Sequence, residues 1–331
     1  MLGVIVAHAD WGIDPRKRWV AAAKGNVRDG WLASPASPMP DGSDLRSRIQ
    51  ACSDDEQLLV GFDFPIGLPR AYADRAGVRS FLDLLPRLGQ EEWAEFFSVA
   101  DVAGEIAVNR PFYPRTAQRK GAKRQVHLTT ALGMSMSDLR RRCEHRQPDR
   151  SAACSLFWTV GGNQVGKGAL AGWQMLQAHP SNTIAYWPFE GPLDELIKSN
   201  QTVVAETYPA EFYGHLSLPR VIGKRRQASR AALAPRLCEV AGDLGIQLMP
   251  ESRAQIDDGF GATSHGEDAF DAFVGLVGMI NVLSGRRMSG EPPDDQYVTS
   301  VEGWILGQHA VTHTVVGPMA MPLAVRPQSR D

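Results

Sequence analysis

The chain is poor in cysteine, lacks any long apolar run and carries almost no net charge, and each shortage excludes something. Its four cysteines, Cys52, Cys143, Cys154 and Cys238, are scattered over 331 residues without a C-x-x-C pair. That spacing offers neither a zinc site nor a disulfide scaffold, and it suits plain thiols in a reducing cytoplasm. No stretch approaches the roughly 20 apolar residues of a membrane span, so no membrane partner is expected. The opening MLGVIVAHADWG has no basic segment ahead of its apolar run, and it reads as a first strand rather than a signal peptide. A formal net charge of −2 gives no global field toward nucleic acid or membrane. Internal repeats and low-complexity tracts are also missing.

What is present is an interrupted α/β pattern. GVIVAH at 3–8, RWVAAAK at 18–24 and WLAS at 31–34 read as a meander of three short strands, separated by turns at Gly12 to Pro15 and Asn26 to Gly30. Ser43 to Cys52 reads as a helix, and LLVGFDFPIGLP at 58–69 as a buried strand closed by a Pro/Gly turn. The pattern resumes near 202 with TVVAETYPAEFY, a basic helix over about 226–244, a short strand at 246–249 and a strongly apolar helix over 265–283. VTSVEGWILG at 298–307 is a last ordered element. The simplest organisation is a discontinuous core of 1–70 and 200–310, a mainly helical insertion over 71–199 with helical stretches such as SFLDLLPRLGQEEWAEFF at 80–97, and a Pro-rich tail over 311–331.

Several acids stand where an acid needs a reason. Asp10 ends the first strand, Asp63 sits inside VGFDFP and Glu206 inside VVAETYP. Asp268 and Asp271 are three apart, so both project from one face of the late helix. Buried carboxylates are costly alone and repel when they converge, unless a cation neutralises them. Hard cations such as Mg²⁺ or Mn²⁺ take oxygen ligands of this kind. Plainer roles stand beside that one. Asp10 can open a turn, Asp63 can bond local backbone, Asp268 can complement a helix dipole, and Glu206 can pair with an arginine. His265, just ahead of the helix, is either a proton-transfer assistant or an exposed residue at its start.

Basic residues cluster in two acid-free stretches. One, between Ile106 and Met136, holds Arg110, Arg115, Arg119, Lys120, Lys123 and Arg124 with Phe112 and Tyr113. The other, between Phe212 and Cys238, holds Arg220, Lys224, Arg225, Arg226, Arg230 and Arg236. Such groups bind phosphate, and aromatics can stack bases, although solvated faces have the same composition. GGNQVGKG at 161–168 nearly spells a P-loop, but Gly168 stands where Ser or Thr should meet Mg²⁺. Lys167 remains available to an anion there. A nucleotide-binding phosphotransferase is therefore one rival function, and a non-catalytic module binding nucleic acid or protein is another.

HADWG with RWVAA, GFDFPIGLP, AETYPAEFY and EDAFDAFVGL together resemble the domain of unknown function 429 family, described as predicted RNase H-like nucleases. The resemblance spans the core from end to end. It implies an RNase H-like mixed sheet flanked by helices and a metal-dependent phosphodiester hydrolase using Mg²⁺ or Mn²⁺. Within that superfamily, Asp10 matches the first-strand acid, Asp63 the fourth-strand acid, and Asp268 and Asp271 the late-helix pair. In two-metal chemistry the ions stand about 4 Å apart. Asp10 would bridge them, Asp63 and Asp271 would each hold one, and Asp268 would assist. Glu206 and His265 would stand just outside, with Lys167, Lys224, Arg225, Arg226 and Arg230 on phosphate. The expected substrate is nucleic acid or another phosphate-bearing molecule.

Overall fold

A computed structural model describes residues 3–39, 57–115, 125–147, 150–160, 165–179, 182–199, 201–219, 223–292 and 294–310. The strands are β1 (Val4–Asp10), β2 (Trp19–Asn26), β3 (Gly30–Ala33), β4 (Ser37–Pro38), β5 (Gln57–Phe62), β6 (Ile184–Tyr186), β7 (Thr202–Glu206) and β8 (Ile246–Leu248). They form one mixed sheet in the order β6-β7-β5-β1-β2-β3-β8, with β4 added alongside β2. β1, β2 and β3 are the antiparallel meander, whereas β5, β7 and β6 continue from β1 in parallel. The helices are α1 (Arg70–Ala76), α2 (Phe81–Leu84), α3 (Gln125–Leu132), α4 (Val165–Gln177), α5 (Leu193–Leu196), α6 (Pro209–His215), α7 (Gln227–Ala231), α8 (Ala234–Asp243), α9 (Pro250–Asp257) and α10 (Gly266–Leu283). The protein is thus mixed α/β. Among the described residues, no helix is long and apolar enough to cross a membrane.

Strand alternation divides the interior into two layers. Ile5, Ala7 and Ala9 of β1, Leu58, Val60 and Phe62 of β5, and Val204 of β7 belong to one apolar cluster. Val6, Leu59, Val203 and Ala205 point the other way, into a second cluster. That second layer is roofed by α10, buried along most of its length, with α6 and α8 beside it. Glycines let the roof come close. A Cβ on Gly275 would stand 2.2 Å from Nδ1 of His8, and one on Gly278 would strike the Phe212 ring.

The first layer is filled from residues 64–186. Phe81, Phe96, Phe112 and Trp173 are fully buried there and stack edge-on or face-on against one another. The stretch read as an insertion therefore covers one face of the sheet, and its Ile184–Tyr186 supplies an edge strand. Prolines reshape two expected helices. SFLDLLPRLGQEEWAEFF stops at α2 and continues as 3-10 turns from Leu85, because Pro86 lacks the amide an α-helix requires. The basic helix over 226–244 is two pieces, α7 and α8, with Pro235 in the first turn of the second. The helix expected from Ser43 to Cys52 lies outside the described residues.

Candidate active site

β1 and β5 run parallel with Ala9 opposite Phe62, so Asp63 leaves its strand level with Asp10. Parity then sets direction. Asp10 follows Val6 and His8, and Asp63 follows Leu59 and Gly61, so both face the α10 layer. The Trp11 amide donates to Asp63 Oδ1 at 2.6 Å, and the Asp10 and Asp63 carboxyls lie close enough to interact directly.

The helix brings the third acid. Gly275 sits over His8, and from His8 to Asp10 is two residues, about 6.6 Å along a strand. From Gly275 back to Asp271 is four residues, about 6 Å along a helix. Asp271 therefore arrives across from Asp10, and Asp268, one turn earlier, stands farther out. Asp10, Asp63 and Asp268 retain partial exposure, whereas Asp271 is buried.

The electrostatics follow from that geometry. Burial, then the charges of Asp63, Asp271 and Asp268, push Asp10 well above the ordinary carboxylate range. Burial raises Asp63 to about 7, even though the Trp11 amide pulls against it. Burial raises Asp268 to about 6, with Lys17 and His265 opposing. Asp271 is different. Burial raises it, but Tyr213 donates to its Oδ1 at 2.9 Å and the Lys224 ammonium to its Oδ2. Lys224 also lies 3.2 Å from Glu267 Oε1. Burial works against the ammonium, yet these carboxylates outweigh it and hold its proton more tightly than usual. Among the described residues, no three carboxylate, imidazole or thiol groups are already gathered at metal-binding spacing.

The other expected residues fall in different places. Glu206 aligns with Phe62 across β5 and β7 and shares the parity of Val204, so it points to the opposite face from Asp10. There the Arg141 guanidinium grips it with both nitrogens, one at 2.6 Å, and the Ile66 amide donates to it at 2.7 Å. His265 stands at the N-terminal end of α10 with Nδ1 3.7 Å from Asp268 Oδ2. Arg225 is exposed, 3.8 Å from Glu267, and Arg226 is exposed nearby. Arg230 corrects the expectation of a phosphate contact. It is buried, and its guanidinium donates to the carbonyls of Gly259, Lys224 and Gly261.

Phe112 and Tyr113 are also corrected as stacking surfaces, because both rings are in the core. Arg119, Lys120, Lys123 and Arg124 lie outside the described residues, as do 161–164 and Arg220. Residues 155–160 form turns and a single bridge, so the strand that a P-loop would need before Lys167 is not formed. Lys167 lies in the first turn of α4. The neighbouring Gly168 lies against Phe64 and the Trp11 carbonyl, just behind the two strand-end acids.

The sequence reading missed Tyr213, His8 and Thr207. His8 Nε2 lies 2.9 Å from Thr207 Oγ1 in the floor under Asp10, and burial lowers its pKa to about 3, so the imidazole is neutral. Its parity with Asp10 was the available signal. Tyr213 had none, because its approach to Asp271 depends on how α6 packs against α10. Comparison of the chain with protein-family models, curated proteins and solved structures finds no match.

Proposed function

We propose that the protein is a metal-dependent phosphodiester hydrolase, a nuclease-like enzyme on an RNase H-like core. One observation carries the reading: Asp10 and Asp63 are pressed together at the ends of adjacent parallel strands and face Asp271 from the roof helix. Ligand sites in open α/β sheets lie at such strand ends. The meander followed by parallel strands, the late helix over the first strand and the motif resemblance support the core assignment.

The donor set fits a hard divalent cation in its chemistry. It consists of carboxylate oxygens, and the mutual repulsion of Asp10 and Asp63 is what such a cation relieves. Asp10, Asp63 and Asp268 would hold Mg²⁺ or Mn²⁺. Asp271 already has an ammonium partner, so its share in holding metal is smaller than the motif implies. The bound ion would supply Lewis-acid stabilisation of charge developing on the phosphate oxygens.

The chain's own groups account for the remaining work. His265, beside Asp268 and outside the proposed ligand set, can accept a proton from an attacking water. As the water oxygen bonds phosphorus, the P–O bond to the leaving oxygen breaks. Lys224 has three N–H donors and directs bonds to Asp271 and Glu267, leaving one for a phosphate oxygen. The His8–Thr207 pair and the Trp11 amide fix the floor beneath the acids.

The test is a Mg²⁺ and Mn²⁺ titration over single-stranded, duplex, hybrid and branched substrates, comparing wild type with Asp10→Asn. Cleavage by wild type and its loss in the variant are expected. Equal cleavage by both proteins would sink the proposal.

A further inference from the structure

A cavity of about 590 Å³ opens between α6, Gln147, residues 150–153 and residues 308–309. Its volume lies within the range of small-molecule sites, roughly 300–1,000 Å³. Two of its walls belong to the carboxylate site. Tyr213 and Lys224, the partners of Asp271, form one of them. On another side Tyr208 and Ala153 also line a narrow crevice of about 40 Å³ that reaches Asp63. The cavity therefore shares wall residues with the partners of Asp271 and with the crevice that reaches Asp63.

The lining has a sign. Arg150, Arg287 and Lys224 face the cavity with His215 and His309, against Glu211 as the one carboxylate of its lining. Arg150 reaches Glu211 at 2.8 Å and also donates to backbone carbonyls, so it is firmly placed at the wall. The positive field is felt locally: burial, then Arg287, lowers the pKa of His309. Tyr208 is the half-buried aromatic of the wall. A phosphate with an attached ring matches this combination of cations and an aromatic face.

We propose that this cavity binds one nucleotide unit, with its phosphate toward Lys224 and the arginines, and so sets the side from which substrate enters the carboxylate site. The inference rests on the hydrolase reading, but it is read out separately, by binding without metal. The full chain is titrated calorimetrically in EDTA with AMP, adenosine and a 5′-phosphorylated dinucleotide. Ser151 and Ala210 are exposed lining residues, so Ser151→Glu and Ala210→Glu add negative charge to the cavity without disturbing the core.

AMP should bind at least tenfold more tightly than adenosine. Each glutamate variant should weaken AMP at least tenfold while melting as wild type does. Asp10→Asn should bind AMP as wild type does, because Asp10 is not part of the cavity lining. Tighter binding of the dinucleotide identifies the unit as the end of a polymer, and tighter binding of AMP as a free nucleotide; either supports the site. Absence of AMP binding, equal affinity for adenosine, or wild-type affinity in both glutamate variants overturns it. Loss of cleavage in Asp10→Asn with no AMP binding by wild type would leave the hydrolase standing and remove this cavity from it.

Discussion

Two acid clusters lie on opposite faces of one sheet, at the ends of neighbouring parallel strands, and they are built to different ends. On the face away from α10, Glu206 and Glu144 share the Arg141 guanidinium, which also donates to the carbonyls of Ile66 and Glu302. All three side chains are buried, and the cation comes from the chain itself. On the α10 face, Asp10 and Asp63 face each other, each adding negative charge to the other's surroundings, while Lys224 serves Asp271. Where the chain provides a cation, the cluster ties residues 139–144 to the sheet and has no further work. Where it does not, the carboxylates stay partly exposed at a strand end, with raised proton affinity.

The largest test of that contrast is Arg141→Met. It leaves Glu206 and Glu144 buried without their partner, and breaking a buried ion pair from one side costs about 3–5 kcal/mol. Urea unfolding at neutral pH should show a loss of that size, and a loss below about 1 kcal/mol would remove the keystone role. Asp10→Asn should act oppositely on stability. It removes one of two repelling carboxylates, so the melting temperature in EDTA should rise while metal-dependent cleavage falls about 100-fold or more. A lower melting temperature would show that Asp10 holds the fold together rather than straining it.

Gly275→Ala comes next. Its Cβ would press into the His8 ring and lift α10 from β1, a packing cost of about 1–3 kcal/mol. Because Asp271 rides on that helix, activity should fall more than stability. An activity loss matched by the unfolded fraction alone would argue against the register. A further test is the pH trend of the metal-free protein. Asp63 is raised from the ordinary 3.8 to about 7 in the folded state, so between those values the folded chain holds a proton that the unfolded chain has lost. Its contribution therefore makes stability fall as pH rises from about 4 to about 7. Asp268, raised to about 6, adds in the same direction. Saturating Mg²⁺ should flatten the slope, and an identical slope in Asp63→Asn would assign it elsewhere.

Much of the fold was legible because short-range patterns encode it. The apolar runs before Asp10, around Val60 and around Val204 became β1, β5 and β7, and EDAFDAFVGLVGMINVL became α10. Pro86 and Pro235 broke helices that periodicity alone had drawn as continuous. The middle third was harder to read. Its bulky aromatics are spaced irregularly, and they converge only as a layer against the sheet.

The sequence by itself determined which residues could be strand-end and helix-start acids, since an acid closing or interrupting an apolar run is visible in one dimension. It also determined the spacing of Asp268 and Asp271. Only the tertiary structure decided which acids belong together. Glu206 and Asp63 look alike in sequence, yet the β5–β7 register puts them on opposite faces, one with an arginine and one with Asp10. The physical reason is parity: one residue's difference in register reverses a side chain's face, and register is set by pairing between strands about 140 residues apart. The acids singled out first thus divide, with Asp10 and Asp63 at the site, Asp271 shared with Lys224, and Glu206 in the frame.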